Sequence, residues 1–329
     1  MKKLKIILVI VVILFNYSIL NAFIILDNGF NARSMGMGGA FAALDDDTSA
    51  LYYNPALLYQ FETPQISAGY SRFFHLYNKF NIAYIQPKIL LKPDLGLSFI
   101  SSFLLDNDIP TYSKVELGDI GDYNEGNKID YYEYFFMIGG GIKIKNIWMM
   151  QISGGISSEF LYRNIDNMKS YGIGMNIGVA AKHRFFNIAL TLKNLFLRNN
   201  YENGYENLPL TLRIGTYYKF KRILYAIFKT KEKKPAVTNN YLITQYINWK
   251  VNPLFDMDLK FDNTFKINYF MGIEGWLNNL IAVRIGYNNY QKISWGASVD
   301  LEFLRFDYSY TIHSELLSTH KITVTYFFR

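Results

Sequence analysis

From about residue 65 onward the chain alternates apolar and polar residues with period two, in runs of about ten. In one such run Leu304, Phe306, Tyr308, Tyr310 and Ile312 share a face, while Arg305, Asp307, Ser309, Thr311 and His313 share the other. Ile281, Val283, Ile285 and Tyr287 alternate in the same way with Ala282, Arg284, Gly286 and Asn288. Runs of about ten suit a tilted strand that crosses a bilayer, whereas strands of soluble sheets average about five or six residues. After residue 22 no apolar run approaches the ~18 residues of a spanning helix. A membrane form of this chain therefore has to be a closed sheet, because unpaired backbone amides are not tolerated in lipid. The 27 Tyr and 26 Phe fit aromatic girdles at two interfaces.

The expected fold is all-β, a transmembrane antiparallel β-barrel of about fourteen strands with a short N-terminal helical hatch segment. The strands are expected at 65–73, 79–87, 93–103, 132–144, 147–160, 170–183, 185–194, 208–219, 240–251, 266–277, 279–288, 291–302, 304–313 and 319–328. With strand one starting in the periplasm, the longer connections, among them 104–131, 195–207 and 252–265, fall outside, and all but one of the periplasmic turns are short. The exception is the basic segment 220–239, a solvated loop or a contact with anionic headgroups or a periplasmic partner. Arg213, Glu274, Arg284, Asp300, Arg305 and Asp307 fall on the luminal face and should form a charge network. Glycines crowd the strands at Gly139, Gly140, Gly141, Gly154, Gly155, Gly172, Gly174 and Gly178, where they allow kinks or close approach of a luminal segment.

Lys2, Lys3 and Lys5 precede an apolar run from Ile6 to Phe15 and small residues near Ala22, the pattern of a secretory signal peptide. The expected organisation is a signal peptide at 1–22, a hatch segment at 23–62 and a barrel at 63–329, directed to the outer membrane. Once the leader is set aside, the net charge of +7 becomes a weak bias, and no nucleic-acid partner follows from it. With no Cys there is neither a disulfide framework nor a thiolate metal site.

Residues 29–60 do not alternate. Asp46 or Asp47 is a candidate N-cap for a short helix through Tyr53, and Asn54-Pro55 marks a second helical start. Ala32-Arg33-Ser34-Met35-Gly36-Met37-Gly38-Gly39-Ala40-Phe41, Asp45-Asp46-Asp47-Thr48-Ser49-Ala50 and Tyr53-Asn54-Pro55-Ala56 resemble the N-terminal signature of the FadL/PorV superfamily. The C-terminal strand also fits, ending on Phe327-Phe328, although Arg329 stands last. The resemblance implies a luminal hatch. In it Gly36, Gly38 and Gly39 would pack against the wall, and Asn54 and Pro55 would fix a second turn.

No phosphate loop, no His-Glu-x-x-His pair and no dinucleotide fingerprint is present. His75, His183, His313 and His320 lack ligand spacing. Asp45, Asp46 and Asp47 read as a capping and solvated charge run before they read as a Ca²⁺ site. No enzyme activity, cofactor or metal is expected. The expected function is passage of hydrophobic, long-chain fatty acid-like molecules across the outer membrane, with lipid as surroundings and Phe103, Leu104 and Leu105 as a possible ligand groove. The alternative is a PorV/PorQ-like component of a type IX secretion system that binds a protein partner; a purely structural or surface-antigen role is a third.

Overall fold

The computed structural model describes residues 29–74, 77–89, 94–114, 123–166, 168–201, 204–220, 249–261, 265–290, 292–313 and 318–328. The expected signal peptide, and all but the first residue of the basic segment 220–239, lie outside the described residues.

The strands are β1 (Gln65–Phe73), β2 (Tyr77–Gln86), β3 (Leu95–Lys114), β4 (Tyr123–Ile147), β5 (Met150–Ile165), β6 (Met168–Lys182), β7 (Phe186–Tyr201), β8 (Gly204–Asn207), β9 (Leu210–Tyr218), β10 (Trp249–Phe261), β11 (Phe265–Leu277), β12 (Ile281–Asn288), β13 (Lys292–Asp300), β14 (Leu304–Ile312) and β15 (Thr319–Phe327). Each pairs antiparallel with its neighbour, and β1 pairs with β15 from Gln65↔Phe327 to Arg72↔His320, which closes the sheet. β8 is a short strand on the outer extension of β7, so the wall itself has fourteen strands. Closure leaves no edge to satisfy in lipid.

Side chains divide cleanly. Outward positions such as Ile273, Val283, Ile285, Trp295 and Ile322 are exposed apolar residues. Inward positions such as Ser67, Asp256, Glu274, Arg284, Ser298 and Thr325 are small or polar, and buried. They are buried because residues 29–60 fill the barrel. Phe30, Met37, Phe41, Leu44, Leu57 and Leu58 have no exposed surface and form the core with Phe73, Ile85, Ile100, Phe135 and Leu161 of the wall. Three short helices build this plug: α1 (Ala32–Gly36), α2 (Ala50–Tyr53) and a 3₁₀ turn over Pro55–Gln60.

Several expected boundaries need correction. The loop placed at 104–131 is largely ladder, since β3 and β4 stay paired out to Lys114↔Tyr123. Residues 252–265 are likewise mostly strand: β10 runs from Trp249 through Pro253 to Phe261. Val251 O accepts from Phe220 N at 3.0 Å, so Pro253, two residues on, turns its donor-less nitrogen to the same side, where the β9 ladder ends. The helix through Tyr53 starts from Ser49, not from Asp46 or Asp47. α1, over Ala32–Gly36, is not among the expected helical turns.

The overshooting β3–β4 hairpin and the β7–β8 extension mark the outer end, because barrel elaborations face outward and tight turns face the periplasm. At the inner end lie tight turns at Trp148–Met149, Asn278–Leu280 and Leu301–Phe303.

Candidate functional site: the hatch and the lumen

The hatch begins with Asn31, whose side chain accepts from Ser34 N at 3.1 Å and caps α1. Gly38 and Gly39 end the helix at φ +66° and +86°, the left-handed region where a side chain is strained. Gly38 is also pressed on the wall: a Cβ there would lie 2.6 Å from Tyr287 N. The wall answers with its own glycines. A Cβ on Gly286 would lie 2.0 Å from Gly38 N, and one on Gly272 would lie 2.7 Å from Met37 Cβ. A Cβ on Gly36 would stand 3.2 Å from Gly296 Cα. A second cradle holds the turn at Asn54-Pro55. Asn54 Oδ1 accepts from Ala56 N at 2.9 Å, and Pro55 opens the 3₁₀ turn. Added Cβ atoms on Gly96, Gly141, Gly155 and Gly178 would lie 2.1, 2.2, 2.3 and 2.0 Å from Leu58 O, Pro55 O, Pro55 C and Asn54 Oδ1. Part of the glycine crowding thus has one cause, backbone-to-backbone contact between wall and hatch. Gly39 faces the Phe270 ring instead, 3.2 Å from where its Cβ would be.

Charge locks the same contact. Arg33 of α1 donates to Glu274 from Nε and Nη2, both at 2.8 Å, a bidentate pair, and its Nη1 lies 2.7 Å from Asp46 Oδ1. Arg284 Nε reaches Glu274 at 2.7 Å, and its Nη1 reaches Asp307 at 3.4 Å. Arg305 joins Asp307 at 3.0 Å to Asp47 of the hatch at 2.5 Å. The chain of charges therefore leaves the hatch at Arg33, crosses β11, β12 and β14, and returns to the hatch at Asp47. Asn31 Nδ2 closes it by bonding Asp47 Oδ1. Burial alone would push the Asp47 carboxyl up, but Arg305 and Arg33 outweigh burial and hold it below the usual carboxylate range. Asp45 behaves alike: burial raises it, and Lys182, at 2.5 Å, and Lys219 pull it down. Asp256 of β10 offers Oδ2 to Phe41 N at 2.7 Å and Ala42 N at 2.8 Å, satisfying two loop amides that would otherwise be buried unpaired.

Of the luminal charges read from sequence, Glu274, Arg284, Arg305 and Asp307 belong to this network. Arg213 pairs instead with Asp258, at 2.5 and 2.7 Å. Asp300 stands apart at the inner end, accepting from Glu302 N. Arg33 and Asp256 were not legible as partners, because their roles depend on strand register. The triple aspartate is engaged by cations of the chain itself, and among the described residues no metal-ligating cluster occurs. His313 meets Thr319, and His320 meets Tyr308.

Phe103, Leu104 and Leu105 do not form one groove. They lie within β3, paired with Tyr134, Glu133 and Tyr132, so alternation sends Phe103 and Leu105 outward and buries Leu104 inward.

Two cavities flank the hatch. The outer one, about 120 Å³, is lined by Tyr52, Tyr53, Phe270 and Tyr290 with Lys193, Arg213 and Lys260. Lys193 Nζ lies 4.5 Å from the centre of the Tyr52 ring. The inner one, about 360 Å³, is polar, with Asp46, Lys219, Lys250, Trp276 and Arg305 on its walls. Beside the outer cavity the wall is irregular. The β6–β7 ladder shifts register twice around Met175, and Asn194 and Phe196 take φ +61° and +57°. Side chains bridge the interruption: Asn176 Oδ1 accepts from Asn194 N at 2.9 Å, and Asn194 Nδ2 donates to Pro209 O at 2.9 Å.

No family model and no curated protein matches the chain. Among solved structures it is similar to the Pseudomonas putida toluene transporter TodX, with TM-score 0.56, 13% identity, and coverage of 91% of this chain and 98% of that one. The Ralstonia pickettii toluene transporter TbuX gives TM-score 0.53 at 11% identity, with 92% and 99% covered. A Pseudomonas aeruginosa FadL homologue gives TM-score 0.50 at 8% identity, with 91% and 98% covered. The chain has the fold of these outer-membrane barrels, and its apolar outer band seats it in a bilayer as an outer-membrane β-barrel of fourteen wall strands.

Proposed function

We propose that the barrel carries amphipathic small molecules, with a long apolar part and an anionic head as in a fatty acid, across the outer membrane, and that residues 29–60 gate the passage. The outer cavity is the observation that supports this reading most. It combines four aromatic rings with Lys193, Arg213 and Lys260, against the carboxylates of Glu159 and Asp258. Arg213 is already committed to Asp258, and Lys193, whose Nζ lies over the Tyr52 ring, is the cation that would meet an incoming carboxylate. A neutral hydrocarbon would gain from the rings but nothing from the ammonium groups. The apolar tail gains about 25 cal/mol per Å² removed from water. A hatch sealed by ion pairs closes the passage until it shifts, and the interrupted β6–β7 ladder beside the cavity is the opening through the wall by which cargo then leaves.

The toluene transporters among the similar structures accord with hydrophobic cargo. The secretion-component reading rests on the N-terminal motif and on the basic segment 220–239, all but the first residue of which lies outside the described residues.

The test begins with the barrel purified in detergent, extracted, and analysed by mass spectrometry for bound lipid. Uptake of radiolabelled oleate is then compared for the native chain and Lys193→Met. Co-purified fatty acid and a several-fold loss of oleate uptake in the variant are expected. A lipid-free barrel that carries no oleate would end the proposal.

A further inference from the structure

The outward faces of β9 to β15, β1 and β2 are mostly apolar. Among their described outward positions, Arg72 and His320 are the basic side chains, and they stand directly opposite each other on β1 and β15. The same cross-strand row continues to Tyr310 on β14 and Asn78 on β2. Directly opposite residues place their Cβ atoms about 5 Å apart. The row sits at the outer end, one residue from the end of β1 and one from the start of β15. A cation on the lipid face is costly at the bilayer midplane and nearly free at the interface, so this row marks the level of the outer-leaflet headgroups.

The neighbours make it a built surface. His320 Nδ1 meets Tyr308 OH at 2.9 Å, and its ring stacks edge-on with Tyr310 at 4.9 Å between centroids, so the imidazole is held in one orientation. Trp295 packs on both tyrosines, at 5.6 Å from each. On the other side Tyr70 OH donates to Asn78 Oδ1 at 2.7 Å. Exposed Arg72 lies between these two groups.

We infer that Arg72 and His320, framed by Tyr70, Tyr308, Tyr310 and Trp295, bind the phosphate of an outer-leaflet glycolipid on the outside of the wall. Charge complementarity selects this occupant. A guanidinium takes a phosphate through two parallel hydrogen bonds, an imidazole adds a donor beside it, and the aromatic rings sit where sugars and upper acyl carbons pass. Nothing in this site touches the lumen, so its ligand is a resident of the membrane and not cargo.

The test uses the full chain in detergent, titrated by native mass spectrometry with lipid A carrying both phosphates and with the same glycolipid after enzymatic dephosphorylation. The native chain should bind the phosphorylated form about tenfold more tightly. The double variant Arg72→Gln/His320→Gln should lose that preference while binding the dephosphorylated form as before. Lys169→Gln, which removes an exposed cation on β6, should keep it. Equal binding of the two glycolipids by the native chain would overturn the inference. So would a double variant that retains the preference.

Discussion

Replacing Glu274 by Gln should unseat the hatch while leaving the barrel intact. Glu274 has no exposed surface and faces two guanidiniums, Arg33 of the hatch at 2.8 Å and Arg284 of β12 at 2.7 Å. Gln keeps the shape and removes the charge, so two buried cations lose their shared counter-ion, with Asp46, Asp47 and Asp307 left to compensate. Breaking a buried pair from one side costs about 3–5 kcal/mol. Arg284 stays fixed in the wall, but Arg33 can leave with α1 and reach water, so the cost falls on the seated state. At ~1.4 kcal/mol per factor of ten, the ratio of seated to unseated hatch should fall by about two to three and a half orders of magnitude. The assay is single-channel recording in planar bilayers. The native barrel should be closed or nearly so, and Glu274→Gln should open to a persistent conductance. Heat-modifiability on gels should show the barrel still folded. If the folded variant is as tightly closed as the native chain, the ion-pair network does not hold the hatch.

Gly286→Val and Gly178→Val should each push the hatch off the wall, since even the first added carbon would meet hatch atoms at 2.0 Å; a rise in protease cleavage within residues 29–60 would report it. Asp256→Ala leaves Phe41 N and Ala42 N unpaired and should cost about 1–3 kcal/mol per amide, read as hydrogen exchange at those two positions. Acid should loosen the hatch. The Asp47 carboxyl is held below its usual range in the folded state, so its contribution is complete above the unfolded value near ~4 and disappears as pH falls below it. Conductance measured from pH 7 to pH 3 should therefore rise at the acid end, and Asp47→Asn should abolish that rise.

Alternation made the barrel legible, because lipid outside and polar lumen inside impose period two on every spanning strand. The expected strand at 240–251 stops short of β10, which runs on to Phe261; Pro253 is tolerated inside it because it stands where the β9 ladder ends and no donor is needed. The outer half of the β3–β4 hairpin was read as loop since polar residues such as Asp106, Asn107 and Asp108 break the lipid pattern once the chain rises above the membrane. The luminal charges were legible as a set, but their pairing depends on register: Glu274 and Arg284 are directly opposite on β11 and β12, whereas Arg33 lies 241 residues from its partner. The strand glycines could be counted in the sequence. That Gly96, Gly141, Gly155 and Gly178 converge on one turn of the hatch required the fold.

The account stands or falls on whether the hatch must move for cargo to pass. The chain has no Cys, and Thr48 Oγ1 and Ser67 Oγ lie 2.6 Å apart across the joint between hatch and β1, so Thr48→Cys/Ser67→Cys offers a reversible tether. Oleate uptake should stop when the pair is oxidised and return when it is reduced. Undiminished uptake through the oxidised, tethered barrel would contradict a gating hatch.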